Sequence, residues 1–163
     1  MVQYQATLDR AFGALADQDR SLWDAGQIAA GRAVLDRALA LRGRGPYVLQ
    51  AAIASLHADE PRDWDEIAAL YGELARVTGS PVVELSRAVA VAEAAGPEAG
   101  LAIVDGLDLG EYRYLHATRG ELLGRLGRTE EARAAYRQAL ALAHDDAERR
   151  LLERRLAALG PGP

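Results

Sequence analysis

The stretch from His116 to His144, HATRGELLGRLGRTEEARAAYRQALALAH, decides the fold of this 163-residue chain. Five positions in it follow the order small, small, small, aromatic, small, and they are Gly120, Gly127, Ala132, Tyr136 and Ala139. The small residues allow two helix backbones to approach closely, and the tyrosine ring fills the gap toward the next helix. The stretch therefore predicts a hairpin of two antiparallel helices.

A weaker copy of this pattern lies upstream at intervals of thirty-two residues. Counting back from Ala132 reaches Gly100 and then Ala68, while Val104 and Gly72 stand where the aromatic residue would be. The order resembles the tetratricopeptide repeat, whose hairpins bury their apolar faces by stacking on their neighbours. We therefore predict an all-α fold, a right-handed solenoid of three to four tetratricopeptide-like antiparallel helix hairpins.

Glycines, prolines and capping residues predict where the helices begin and end. Gly79 and the pair Gly96-Pro97 predict breaks, and Asp63, Ser80 and Thr129 are the predicted caps of the helices that follow them. The predicted helices span approximately 22–41, 46–57, 64–78, 81–95, 97–107 and 111–126, followed by one that Thr129 caps and one that Asp145 or Asp146 caps and that ends at 159. The predicted organisation is an N-terminal helix within residues 1–15, a helical-repeat domain over 16–159, and a disordered tail at 160–163.

Composition narrows the classes of function. Nineteen basic and 24 acidic residues give a net charge of −5 with acid and base interleaved, which argues against direct nucleic-acid binding. There is no cysteine, so thiol nucleophiles, disulfides and thiolate metal sites are excluded. The sequence shows neither a signal peptide nor an apolar run of about 18 residues that could span a membrane, so a soluble cytoplasmic protein is expected.

A more specific resemblance covers approximately residues 15–159. The strings that carry it include DQDRSLWD at 17–24, SPVV at 80–83, RAVA at 87–90, LHA at 115–117 and LLGRLGR at 122–128. In order and spacing they resemble the C-terminal tetratricopeptide-like extension of one group of bacterial extracytoplasmic-function RNA polymerase sigma factors. The chain departs from that family at Ser86 and at Asp145 or Asp146, where the family has Asn, and it lacks the polymerase-binding and promoter-binding regions.

The resemblance implies a regulatory protein-interaction module that binds sigma regions, in cis or in trans, and takes the role of a separate anti-sigma factor. RNA polymerase is a further possible partner. No cofactor, nucleic-acid contact or membrane contact is expected. The chain would be an excised extension or a stand-alone copy. The alternative is a sensor that binds a small metabolite between helices and shifts the population of sigma states.

Seven polar residues are candidates for lining the partner-binding or ligand-binding surface, and they are Asp17, Asp19, Arg20, His57, Arg87, His116 and Arg119. For the two histidines the alternative is a structural role between helices, and for the charged residues it is capping and ion pairing. No metal site is predicted, because no two histidines stand four residues apart. No enzyme is predicted either, because carboxylates lack an accompanying nucleophile, phosphate-binding loop or convergent hydroxyls.

Overall fold

The computed structural model describes residues 45–59 and 61–160, together with helical positions 26, 29–31, 33 and 35. The predicted helix within 1–15 and the candidate residues Asp17, Asp19 and Arg20 lie outside the described residues. Within 45–160 the chain forms helices and no strand. They are α1 (Pro46–His57), α2 (Trp64–Thr78), α3 (Pro81–Ala95), α4 (Pro97–Asp105), α5 (Arg113–Arg125), α6 (Thr129–Ala141) and α7 (Asp146–Ala158).

The helix ends follow the local chemistry of the sequence. Proline opens α1, α3 and α4, where a missing backbone N–H costs no hydrogen bond. The Asp63 carboxylate accepts a hydrogen bond from the Glu66 N–H at 2.9 Å and caps α2. At the other end of α2, Gly79 takes a left-handed conformation with φ of 62°. These ends confirm the predicted cap at Asp63 and the predicted break at Gly79.

Two predicted helix starts are wrong by a small margin. Thr129 is the first residue of α6 and not its cap, because Arg128 has the non-helical backbone and its carbonyl accepts from the Ala132 N–H at 3.0 Å. The helix predicted from Glu111 begins at Arg113, because a turn closed by the Tyr112 N–H on the Leu109 carbonyl precedes it. Similarly, α4 ends at Asp105 and not near 107.

The described helices pack in sequential antiparallel pairs, each against the next one along the chain. One cluster of buried side chains, including Ile67 and Leu74, lies among α1, α2 and α3. A second, including Leu101 and Leu123, joins α3 to α6. A third, smaller cluster lies beneath α7 and contains Tyr136, Ala139 and Leu152. Among the described residues, no helix is long and apolar enough to cross a membrane.

Two glycines show how closely the helices approach. A Cβ placed on Gly100 of α4 would lie 2.6 Å from the Ala88 carbonyl oxygen of α3, and one on Gly120 of α5 would lie 3.0 Å from the Tyr136 ring of α6. A larger side chain at Gly100 would force the backbones of α3 and α4 apart, and one at Gly120 would require the Tyr136 ring to shift. The close contacts expected at the small positions of the pattern are therefore present in two successive pairs.

Candidate functional site

Three ion pairs join helices that are not neighbours in the sequence. Glu93 of α3 lies 2.5 Å from Arg125 of α5. From α7, Arg155 pairs with Glu121 of α5 and Glu148 with Arg113 of α5. Together they bring α3, α5 and α7 side by side, which is the arrangement expected when successive helix pairs stack.

The pair at the start of α5 is the most buried of the three. The Arg113 guanidinium donates to Glu148 Oε1 at 2.7 Å and stands 4.4 Å from the centre of the Tyr114 ring. The Tyr114 hydroxyl donates to the same carboxylate oxygen at 2.9 Å. Burial opposes the charge of Arg113, but the hydrogen bond and charge of Glu148 outweigh it and raise the pKa of Arg113. Arg113 Nε and Glu148 Oε2 are also buried, and neither has a hydrogen-bond partner among the described residues.

A second polar group connects α5, α6 and α7. The Tyr136 hydroxyl of α6 donates to Glu121 at 3.1 Å, and Arg155 donates to the same carboxylate oxygen. Burial, followed by the charge of Glu121, raises the pKa of Tyr136, so its hydroxyl stays protonated and remains a donor. Arg155 and Glu148 of α7 thus both reach across to α5.

The candidate His57 lies at the end of α1, where it contacts aromatic rings of α2. Its ring centre is 5.6 Å from that of Trp64 and 6.3 Å from that of Tyr71, both edge to face. Burial, followed by the charge of Arg62, lowers the pKa of His57 to about 4. The imidazole is therefore neutral at pH 7 and packs as a ring between two helices.

The other described candidates each use their polar group locally. Arg87 Nε donates to Glu84 in the same helix at 2.7 Å, and Arg119 Nε donates to Asp105 of α4 at 2.8 Å. His116 Nε2 lies 2.7 Å from the Gly110 carbonyl oxygen, in the turn before α5. These three residues thus belong to different helix contacts, and the polar cluster predicted to include Asp17 and Asp19 lies partly outside the described residues.

The charge distribution along the chain is a feature that the sequence reasoning missed. Residues 45–112, which contain α1 to α4, carry twelve acidic residues and three arginines, whereas 113–160 carry seven acidic residues and ten arginines. The net charge of −5 for the whole chain does not show this difference, because the charges of the acidic and basic segments partly cancel. Exposed carboxylates of the acidic part include Asp65, Glu66 and Glu98. An acidic surface favours encounter with positively charged groups.

An open cleft of about 450 Å³ lies between the start of α2 and the end of α3. It is lined by Pro61, Arg62, Asp63, Trp64, Asp65, Glu93 and Ala94. The Arg62 guanidinium stands 5.7 Å from the centre of the Trp64 ring and its Nε donates to the His57 carbonyl at 3.2 Å. Asp63 caps α2, Glu93 is paired with Arg125, and Arg62 already stands over the indole, so Asp65 is the exposed carboxylate of the cleft without one of these contacts. Within 45–59 and 61–160, no group of three metal-ligating side chains is close enough to hold a metal ion.

Within the described residues, helices stack in sequential antiparallel pairs, and most of the surplus acidic charge lies in residues 45–112. No protein-family model matches the sequence. The chain is similar to an uncharacterized protein of Rhizobium meliloti (strain 1021), with 47% identity over 155 residues. That similarity covers 91% of this chain but only 37% of the relative, so most of the relative lies outside the matched region.

Proposed function

We propose that this chain is a regulatory protein-interaction module, a right-handed solenoid of tetratricopeptide type, and that it binds the sigma regions of an extracytoplasmic-function RNA polymerase sigma factor. The observation that carries the proposal is the acidic character of residues 45–112, which contain α1 to α4 and carry twelve acidic residues and three arginines. The sigma segment that binds this acidic surface is therefore expected to carry a net positive charge. The site of action is the cytoplasm, where RNA polymerase works.

The spacing of the close contacts supports the tetratricopeptide assignment. Gly100 approaches Ala88 within the pair α3–α4, and Ala132 and Gly120 follow these two residues by thirty-two positions in the sequence, on α6 and α5. In the second pair the ring of Tyr136 packs so closely on Gly120 that an added Cβ would lie 3.0 Å from it. Equivalent small residues at equivalent helix crossings are what a repeat of this class requires.

Charge explains how such a module could regulate. Complementary charge raises the rate of encounter and selects the partner, while apolar contacts and shape supply most of the affinity. A sigma segment held on the acidic surface would be kept from its other contacts until it is released. Within a longer chain, like the relative that this one matches in part, the covalent link would raise the effective concentration of the two parts.

Titration calorimetry of this chain against the sigma segment encoded upstream of it or nearby tests the proposal. We expect binding that weakens steeply between about 50 mM and 500 mM salt, because the Debye length shortens from more than 10 Å to less than 5 Å. Replacing two exposed carboxylates of the acidic part, Glu66→Gln with Glu98→Gln, should weaken binding. The control Glu153→Gln, on exposed α7, should not. Two folded partners that show no binding at low salt would overturn the proposal.

The candidate arginines supply a second test of the same proposal. Arg87 and Arg119 would each donate to an oxygen of the partner, so Arg87→Ala and Arg119→Ala should weaken binding even though they make the surface more negative. The melting temperature should stay nearly unchanged, because both arginines are about one-third exposed in their ion pairs and contribute little to stability. A large fall in melting temperature in either variant would show that the arginine is a structural ion pair and remove it from the binding surface.

The cleft between α2 and α3 favours a second candidate function, the binding of a small metabolite between helices. Its exposed carboxylate Asp65 favours a cationic ligand, which would have to take the place of Arg62 beside the indole of Trp64. A thermal-shift screen of small organic cations should then contain a compound that raises the melting temperature of the wild-type chain and not that of Asp65→Asn. A screen without such a compound counts against the sensor. Neither candidate function makes the chain an enzyme.

A further inference from the structure

We propose that α7 is a strap: it detaches from α5 and α6 as a unit, without unfolding of the rest, and uncovers a groove that accepts a leucine-striped helix. Two features of α7 support this proposal: the small apolar area by which it is attached, and the apolar groove beneath it. It does not depend on the identity of the partner under the proposed function.

The apolar attachment of α7 is thin. Of its thirteen residues only Leu152 is buried, while α5, of equal length, buries Leu115, Leu122 and Leu123. Leu156 and Leu159 are partly buried against the same surface, and Leu151 is exposed to 47% of its area. The stability of a helix against local opening increases with the apolar area that it buries. Among the described helices, α7 therefore loses the least apolar burial when it detaches.

Polar contacts supply the remaining attachment, among them a hydrogen bond from Arg149 to the Leu140 carbonyl of α6 at 3.4 Å. Near the start of α7, Glu148 pairs with Arg113; in the middle, Arg155 pairs with Glu121; and just beyond its end, the Gly160 carbonyl accepts from Arg133 at 2.9 Å. Water can replace such contacts when they break, whereas nothing replaces lost apolar burial.

The first of these contacts also carries a cost in the closed state. Arg113 Nε and Glu148 Oε2 are buried without hydrogen-bond partners among the described residues, and opening would hydrate both atoms. A buried ion pair that leaves a donor and an acceptor unsatisfied stabilises the closed state less than its short distance suggests. The Arg113–Glu148 pair therefore sets the position of α7 in the closed state but allows the helix to detach.

Beneath α7 lies an apolar groove. Ala117, Tyr136, Ala139, Leu140 and Ala143 form its floor, and a Cβ on Gly124 would contact Leu159 at 3.5 Å. The helix that now fills it presents Leu152 and Leu156, and Leu159 follows directly after its end, so that leucines recur at spacings of four and three residues. A helix that competes with α7 for the groove needs the same leucine stripe. It also needs an acidic residue that can pair with Arg113 and a basic residue that can pair with Glu121.

Hydrogen exchange of the full-length chain, read by mass spectrometry, tests the opening. We expect the amides of α7 to exchange faster than those of α5 and α6. Glu148→Gln should raise α7 exchange about tenfold and leave α5 and α6 unchanged, and Arg113→Gln, which does not alter the sequence of α7, should do the same. Glu131→Gln is the matched control, since Glu131 pairs with Arg128 three residues away and does not reach α7. Exchange of α7 together with α5 and α6 at one common rate in all variants would overturn the strap.

Fluorescence anisotropy tests the groove. The probe is a fluorescein-labelled peptide with the sequence of residues 145–160, which keeps Glu148 and competes with the tethered helix. It should bind the full-length Glu148→Gln chain several-fold more tightly than the wild type, because only the tethered helix is weakened. A peptide carrying Leu152→Asp and Leu156→Asp should not bind. Equal binding of both peptides, or binding of neither, would overturn the groove as a helix-binding site.

Discussion

Replacing glycine by alanine at two helix positions should change stability in opposite directions. Gly100 of α4 and Gly72 of α2 both lie within helices, where alanine is favoured over glycine by about 0.5–1 kcal/mol when nothing obstructs its methyl group. At Gly72 the new Cβ would lie 3.4 Å from Arg87 Cδ, on a flexible side chain. Gly72→Ala should therefore raise the free energy of unfolding by about 0.5–1 kcal/mol.

The new methyl group has no room at Gly100. Its Cβ would lie 2.6 Å from both the Ala88 carbonyl oxygen and the Ala92 Cβ, and these atoms belong to or adjoin the backbone of α3. They can move only if α3 and α4 separate, and overpacking of this kind costs about 1–3 kcal/mol. After the gain in helix propensity is subtracted, Gly100→Ala should lower the free energy of unfolding by about 1–2 kcal/mol.

Urea denaturation followed by circular dichroism at 222 nm measures both changes. For a chain of this size a loss of about 1 kcal/mol lowers the melting temperature by roughly 2–4 °C, so thermal melts give an independent reading. If Gly100→Ala were as stable as Gly72→Ala, the backbones of α3 and α4 would not be in close contact. The small residues at thirty-two-residue intervals would then not mark equivalent helix crossings.

Three further substitutions test individual contacts. Tyr136→Phe should lower the free energy of unfolding by about 1 kcal/mol, since it removes the hydroxyl that donates to Glu121; unchanged urea curves would contradict this. Asp63→Ala should cost about 1 kcal/mol through loss of the α2 cap, whereas Ser80→Ala should cost little, because Ser80 makes no side-chain capping bond; equal losses would contradict the assignment. For His57, the lowered pKa of about 4 means that the unfolded chain binds a proton near pH 6.5 before the folded one does, so stability should fall from pH 6.5 toward pH 4. His57→Gln should flatten that part of the profile of urea midpoint against pH, and an unchanged slope would show that other groups cause it.

Much of the fold within the described residues was predictable because its signals are local. The prolines that open α1, α3 and α4, the cap at Asp63 and the left-handed Gly79 act within one turn of their own helices. The errors at Thr129 and Glu111 amount to one or two residues, and they arose where a turn competes with the helix for the same backbone groups.

The candidate surface was less predictable, because it depends on which distant residues meet. His57 was chosen as a polar residue near a helix edge, yet burial against Trp64 and Tyr71 makes it a neutral packing group. The acidic character of 45–112 was present in the sequence, but a count over the whole chain averaged it away.

The sequence by itself determined the helical class, the places where helices break and the small residues at which they cross. Helix propensity, capping and the size of a side chain are properties of a residue and its near neighbours. Only the tertiary structure decided that Glu148 meets Arg113, that Arg155 reaches Glu121, and that α7 rests on a thin apolar contact. A long charged side chain has many possible partners of opposite charge in the sequence, and the packing of the backbone determines which of them lies close enough to pair with it.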